Sequence, residues 1–246
     1  MKELHKSYYK ELKYFIGEKP CHTIPIFLLN NNLCNIYTDE DFHKGFLIVP
    51  VGELKDLYLF GRLNQEILKD FLVQLKDIRT LLCDMTLKST VTDTGIFRHV
   101  IRNIIYSFKG RPADFLSVPD EVKKLSSEDS GSFALLPRDA SFIFKNFLSS
   151  ERFLKEGLSY AIFDKNRILS CAGTYAISDR YADICVYTVP WRRRKSGSYK
   201  CATALIKELF LINKYPTWTA EESHEPSRKL AEKLGMIQVD ELCCFY

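Results

Sequence analysis

The chain has 246 residues of which 46% are hydrophobic, enough to bury one large core or two small ones, which excludes a disordered chain and a fibrous repeat. Lysine and arginine number 35 against 31 acidic residues, a formal charge of +4, which argues against a dedicated nucleic-acid binder with a strongly basic face and makes any basic patch local. The 8 cysteines form no C-x-x-C pair and have no histidines at zinc-like spacing, which argues against a metal site. Several sit in apolar runs such as Ile184-Cys185-Val186, where a reduced thiol serves as a small core residue, the usage of a cytoplasmic protein.

The opening residues carry charge throughout, with no apolar leader. No stretch reaches the ~18 apolar residues that span a bilayer, so no membrane partner is expected. From Lys2 to Phe15 the spacing of Tyr8, Leu12 and Phe15 predicts an amphipathic helix. Ile24-Pro25 reads as a break. Beyond it the run Ile26 to Leu29 is followed by Leu33 to Tyr37, Phe46 to Val51 and Leu57 to Phe60, three strands joined by polar turns. Gln65 to Ile78 has helical periodicity, Leu81-Leu82-Cys83 reads as a strand, and the β-branched and aromatic content of Phe97 to Phe108 favours a strand over a helix. Between Lys109 and Ser132 the sequence turns polar around Gly110, Pro112, Pro119 and SSEDSGS, which marks a linker and places the domain boundary near Ser126, giving lobes 1–125 and 126–246.

In the second lobe the pattern predicts a helix from Ala140 to Leu148 and a short helix near Glu151. A hairpin of Ser159 to Phe163 and Ile168 to Tyr175 follows, turning at Asp164-Lys165-Asn166, and then a strand from Ala182 to Val189. A loop of Arg, Lys, Ser and Gly leads into a helix from Lys200 to Ile212. A short strand around Trp218, a helix from Pro226 to Leu234 closed by Gly235 and a final strand complete the chain. The elements amount to an α/β protein of α+β type, with a mixed sheet flanked by helices.

The unit that points to chemistry is strand, basic Gly/Ser loop, helix: ADICVYTVP, WRRRKSGSYK, CATALIKELF. The first turn of a helix leaves backbone N–H groups unpaired and carries partial positive charge, so Ser196, Gly197 and Ser198 ahead of it allow close approach of a pyrophosphate. Arg192, Arg193, Arg194 and Lys195 supply further positive charge. The alternative is a solvated basic run beside an ordinary flexible loop. Of the remaining polar residues, Asp183 is an acidic side chain on the strand entering this loop, and His224 is an imidazole suited to proton transfer near neutral pH.

Read together, Thr188-Val189-Pro190, the basic loop, CATALIKEL, PTW and SRKLAEKLGM follow the order of motifs in the GNAT acetyltransferase superfamily. The pattern P-x-W, then LAEKLG, resembles the tandem members whose N-terminal half is a degenerate GNAT-like lobe, and IYTDE, DLYLFG and Arg102 to Phe108 look similar to that lobe. The resemblance implies a C-terminal GNAT fold with a mostly antiparallel sheet, preceded by a GNAT-like α/β lobe. It implies acetyl-CoA as acyl donor, an amine acceptor and no metal. The coenzyme would lie along Val186, Tyr187, Thr188, Arg194, Lys195, Ser196, Gly197, Ser198, Tyr199, Lys200, Cys201 and Ala202. The strand near Val186 to Thr188 would polarise the thioester, and Asp183 or His224 would take the proton of the amine. The sequence departs from the family pattern in having Gly197 where Arg or Gln is usual, Lys200 where Gly is usual, His224 in place of Asn, and Ala231 in place of the tyrosine that protonates the departing thiolate. Those departures leave a second expectation open, a catalytically inactive module that binds acyl-CoA or a partner.

Overall fold

A computed structural model of the chain describes residues 1–52, 56–75, 78–112 and 118–246. Tertiary contacts gather them into two units: unit 1 is Met1–Ile105, Ala220–Glu225 and Val239–Tyr246, and unit 2 is Tyr106–Thr219 and Pro226–Gln238.

Unit 1 opens with β1 (Lys2–Glu3), which pairs with β2 (Cys34–Thr38). Helix α1 therefore begins only at Tyr9 and runs to Ile16, and its buried face is Tyr9, Leu12 and Ile16 rather than the expected Tyr8, Leu12 and Phe15. The Tyr9 hydroxyl donates to the Cys34 carbonyl at 2.9 Å, which fixes that rotation. Helix α2 (Thr23–Asn30) contains the supposed break: Pro25 lies in its first turn, where a missing N–H removes no helical bond. Strands β2, β3 (Gly45–Pro50) and β4 (Asp56–Gly61) form the expected antiparallel ladder. Phe46, Leu47 and Ile48 are all fully buried, the pattern of a strand covered on both faces.

Helix α3 (Gln65–Gln74) starts at Asn64, whose side chain accepts from the Ile67 amide at 3.2 Å; of the residues expected to continue it to Ile78, 76–77 lie outside the described residues. Strand β5 (Thr80–Cys83) lies parallel to β4, followed by α4 (Lys88–Thr92), and β6 (Val100–Ser107) confirms the strand reading of that segment. The core of unit 1 joins Leu47, Leu57, Leu59, Leu68, Leu72 and Leu81 to Cys243 and Phe245 of the last strand, β12 (Ile237–Phe245), which runs antiparallel to β5. Each such leucine contributes about 1.5–3 kcal/mol by leaving water.

The chain passes into unit 2 within β6, ahead of the expected boundary at Ser126, and Val239–Tyr246 return to unit 1. The polar stretch read as a linker is built in: β7 (Val122–Lys124) pairs with β8 (Ser159–Asp164), and Ser126 and Asp129 form a reciprocal capping box ahead of α5 (Ser130–Ala134). Residues 113–117 of that stretch lie outside the described residues. Arg138–Phe147 winds as a 3-10 helix instead of the expected α-helix, and the buried residues Ala140, Ile143 and Asn146 recur every third position as that geometry requires. Helix α6 (Ser150–Glu156) packs Phe153 against Phe133 and Phe147.

Strands β8 and β9 (Arg167–Ile177) form the hairpin, with Asp164 opposite Arg167 so that only Lys165 and Asn166 turn. Strand β10 (Tyr181–Thr188) is antiparallel to β9 and parallel to β11 (Tyr215–Glu221). Helix α7 (Gly197–Leu211) covers this sheet, burying Cys201, Ala202, Leu205, Leu209 and Phe210, and α8 (Glu225–Lys233) ends at Gly235, whose φ of +87° suits a glycine. Both units thus have mixed, mostly antiparallel strands with helices against them, the expected fold class.

Candidate functional site

Strands β10 and β11 stay in register only from Tyr181–Tyr215 to Asp183–Thr217. Beyond that point β10 continues to pair with β9, after a bulge at Asp183/Ile184, while the paired stretch with β11 has ended. From Ile184 to Thr188, a stretch that includes the expected Val186, Tyr187 and Thr188, β10 is no longer in register with β11; the Tyr187 carbonyl accepts from Ser170 Oγ at 3.2 Å and the Thr188 carbonyl from Arg193 Nε at 3.4 Å.

Past Thr188 the chain makes a tight turn, Pro190–Arg192, closed by Arg192 N–H to the Val189 carbonyl at 2.9 Å. Arg194 and Ser196 then adopt left-handed backbone conformations, φ +65° and +59°, at a cost of about 1–2 kcal/mol each for side chains with a Cβ. The second of these sets the direction in which α7 starts. No side chain caps that helix, and the Lys200 amide makes the bond to the Ser196 carbonyl at 3.0 Å, so the amides of Gly197, Ser198 and Tyr199 have no acceptor within the helix.

Gly197 permits this close start. A Cβ there would stand 2.8 Å from the Ser170 Cβ and 2.9 Å from its Oγ on β9. A chain of hydroxyls ties the helix start to the strands: Ser198 Oγ lies 2.7 Å from Thr188 Oγ1, which lies 2.5 Å from Ser170 Oγ.

A cleft of about 340 Å³ opens at this helix start. Thr188, Arg192, Arg193, Arg194 and Ser196 to Tyr199 line one side, and Pro226, Leu230 and Lys233 of α8 the other. Lys233 Nζ stands 4.8 Å from the centroid of the Tyr199 ring. Among the described residues none of Arg192, Arg193, Arg194 and Lys233 is paired with a carboxylate, whereas Lys200, Lys124, Arg152 and Arg102 elsewhere all are. The cleft therefore holds uncompensated positive charge next to free amides, which is the electrostatics of an anion site.

The predicted residues separate on these coordinates. Thr188, Arg194, Ser196, Gly197, Ser198 and Tyr199 line the cleft, and Val186 and Tyr187 lie on the open stretch of β10. Lys195 is exposed and outside the lining. Lys200, Cys201 and Ala202 do not reach it, because the helix begins at Gly197 and not at Lys200: the Lys200 ammonium is 2.5 Å from Glu121, and Cys201 and Ala202 are fully buried in the core. Pro226, Leu230 and Lys233 were not anticipated. Their i, i+4, i+7 spacing on α8, opposite buried Ala231, was the available signal.

Asp183 sits where β10 and β11 part. It is 6% exposed, and Thr217 Oγ1 and Thr219 Oγ1 donate to its Oδ1 at 3.0 and 3.4 Å, while Oδ2 has no partner among the described residues. Burial raises its pKa from 3.8 to about 7, with the two threonine hydrogen bonds opposing, so this carboxyl exchanges its proton near neutral pH. His224 is an exposed turn residue of unit 1, its amide bonded to the Glu221 carbonyl at 2.9 Å. Trp218 is a core residue with its N–H on Ser227 Oγ at 2.9 Å. No group of three or more His, Cys, Asp and Glu side chains arranged to hold a metal occurs among the described residues.

Known proteins share this fold. The solved structure of a GCN5-related N-acetyltransferase-like protein from Streptococcus suis superposes with a TM-score of 0.75 at 21% identity, covering 97% of this chain and 98% of that one. A tandem GNAT protein from the clavulanic acid biosynthesis pathway superposes with a TM-score of 0.62 at 10% identity over 99% of this chain and 96% of its own. In sequence, the uncharacterized N-acetyltransferase YdfB of Bacillus subtilis is 23% identical over 263 aligned positions, 100% of this chain and 98% of that protein. An uncharacterized N-acetyltransferase of Streptomyces virginiae, encoded in the mutA 5' region, is 29% identical over 89 residues, 36% of this chain and 38% of that protein. The family model for GNAT acetyltransferase matches residues 117–245, over half of the chain, which contains the open strand, the helix start and the cleft. The chain belongs to the GNAT acetyltransferase family, and is an acyltransferase by that membership.

Proposed function

We propose that the protein transfers an acetyl group from acetyl-CoA to an amine by direct attack of the amine on the thioester. The observation that carries this reading is the cleft at the start of α7, where the Gly197–Tyr199 amides and the cations Arg192, Arg193, Arg194 and Lys233 converge without a carboxylate partner among the described residues. A nucleotide diphosphate fits that charge, and the open edge of β10 leads from it toward Asp183. A backbone N–H of β10 in the stretch Val186 to Thr188 would polarise the thioester carbonyl as negative charge develops on its oxygen.

The reaction then balances without a covalent enzyme adduct: the C–N bond forms, the C–S bond breaks, and one amine proton leaves with the thiol. Asp183 is the group we assign to accept that proton, directly or through water, because a carboxyl with a pKa of about 7 is matched to transfer at neutral pH and its Oδ2 is free to accept. His224 is the alternative base. We read residues 1–125 as a degenerate GNAT-like lobe with a structural or acceptor-shaping role, and the protein as cytoplasmic.

The test is acetyl-CoA binding by calorimetry together with thiol release across a panel of small and peptide amines. Binding accompanied by amine-dependent thiol release supports the reading. A second reading, binding without turnover, is favoured by Ala231, which is fully buried and offers no hydroxyl where related enzymes have an acid. It predicts coenzyme binding with thiol release at background for every amine.

A further inference from the structure

Trp191 lies in the turn Pro190–Arg192, directly before the cleft-lining Arg192 and outside the lining itself, and has so far been given no part in the site. Its side chain is 67% exposed, whereas the other tryptophan, Trp218, is 4% exposed. A large indole left in water forgoes stabilisation that burial would supply, so its exposure calls for a use. The ring is not on a floppy tip. Pro190 begins the turn, Arg192 N–H bonds to Val189 O at 2.9 Å, Arg193 N–H to Pro190 O at 3.3 Å, and Val189 N–H to Leu169 O at 3.0 Å, which anchors the turn to β9. The next two residues, Arg192 and Arg193, both line the cleft, so the indole is one residue from its basic rim.

We infer that Trp191 is a stacking platform for the adenine ring of the coenzyme, held at the outer edge of the phosphate cleft. This rests on the reading of the cleft as an acyl-CoA site and adds to it the part of the ligand that the cations do not explain. A flat aromatic face beside a cluster of guanidinium groups suits a purine attached to phosphates: the base stacks on the indole while the cations meet the charge. The turn is already rigid, so little order is lost when the base docks.

Calorimetry on the full chain, with three probes, separates the possibilities: coenzyme A, adenosine 3',5'-bisphosphate and 4'-phosphopantetheine. Trp191→Ala should weaken the first two roughly tenfold or more and leave the third unchanged, as expected for a lost base–aromatic stack. Trp191→Phe should keep most of the affinity. Because Trp218 is buried with its N–H bonded, quenching of the exposed tryptophan's fluorescence by adenosine 3',5'-bisphosphate is a second readout, absent from both variants. Wild-type binding of coenzyme A with undiminished affinity in Trp191→Ala overturns the stacking role and leaves the site standing. A wild-type protein that binds none of the three probes overturns the site and the stacking role together.

Discussion

Asp183→Asn separates the cost of burying a carboxylate from its use in chemistry. In the folded protein burial holds the Asp183 carboxyl protonated up to about 7, against 3.8 for an ordinary aspartate. The unfolded chain gives up its proton first as pH rises, so the native state binds more protons over that interval and stability must fall with pH. The loss begins near pH 4 and levels off above about 7. At ~1.4 kcal/mol per pH unit the full cost is about 4 kcal/mol. Among the described residues no cation offsets it: the groups facing the carboxyl are the Thr217 and Thr219 hydroxyls of β11 and the thiol of Cys185 on its own strand. An amide oxygen can still accept from Thr217 but carries no charge. Urea unfolding should therefore show the variant more stable by about 2 kcal/mol at pH 5, rising to about 4 kcal/mol at pH 8. If Asp183 also takes the amine's proton, the stabilised variant loses about a hundredfold in turnover while keeping its acetyl-CoA affinity. Parallel stability curves for the two proteins between pH 5 and 8 would refute the burial argument, and unchanged turnover would remove Asp183 from the chemistry.

Gly197→Val would drive a side chain into Ser170 of β9, and is expected to cost about 1–3 kcal/mol in thermal unfolding and to weaken coenzyme A binding as the start of α7 shifts; normal values for both would place the anion site elsewhere. Lys200→Ala removes only the partly exposed pair with Glu121, so it should cost at most about 1 kcal/mol and leave coenzyme A affinity within about twofold, while Arg193→Ala and Lys233→Ala each weaken it severalfold in the same calorimetric titration. In unit 1, Gly61 has φ +66° and a Cβ there would meet the Lys44 carbonyl oxygen at 2.2 Å, so Gly61→Ala should destabilise by about 3 kcal/mol or more in urea; a loss under about 1 kcal/mol would mean the β3–β4 ladder end adapts.

Local pattern carried much of this protein. Alternating and continuous apolar runs identify β2 to β6 and β8 to β11 because strand burial repeats over a few residues, and the order strand, basic Gly/Ser loop, helix marks the cleft because free amides at a helix start follow from chain direction alone. Where a helix starts is decided by backbone angles that the residue types do not dictate. The left-handed conformation of Ser196 moved the start of α7 from Lys200 to Gly197, which exchanged Cys201 and Ala202 for the first-turn amides and turned Lys200 toward Glu121. The same holds for Lys109 to Ser132, where a capping box and a short strand wear the composition of a linker. Only tertiary structure brought α8 across from α7 and added Lys233, 33 residues along the chain from Lys200, to the cleft. Only tertiary structure, too, buried Asp183 at the parting of β10 and β11: a pKa depends on what surrounds a group in space, and its neighbours Thr217 and Thr219 lie a whole helix away in sequence.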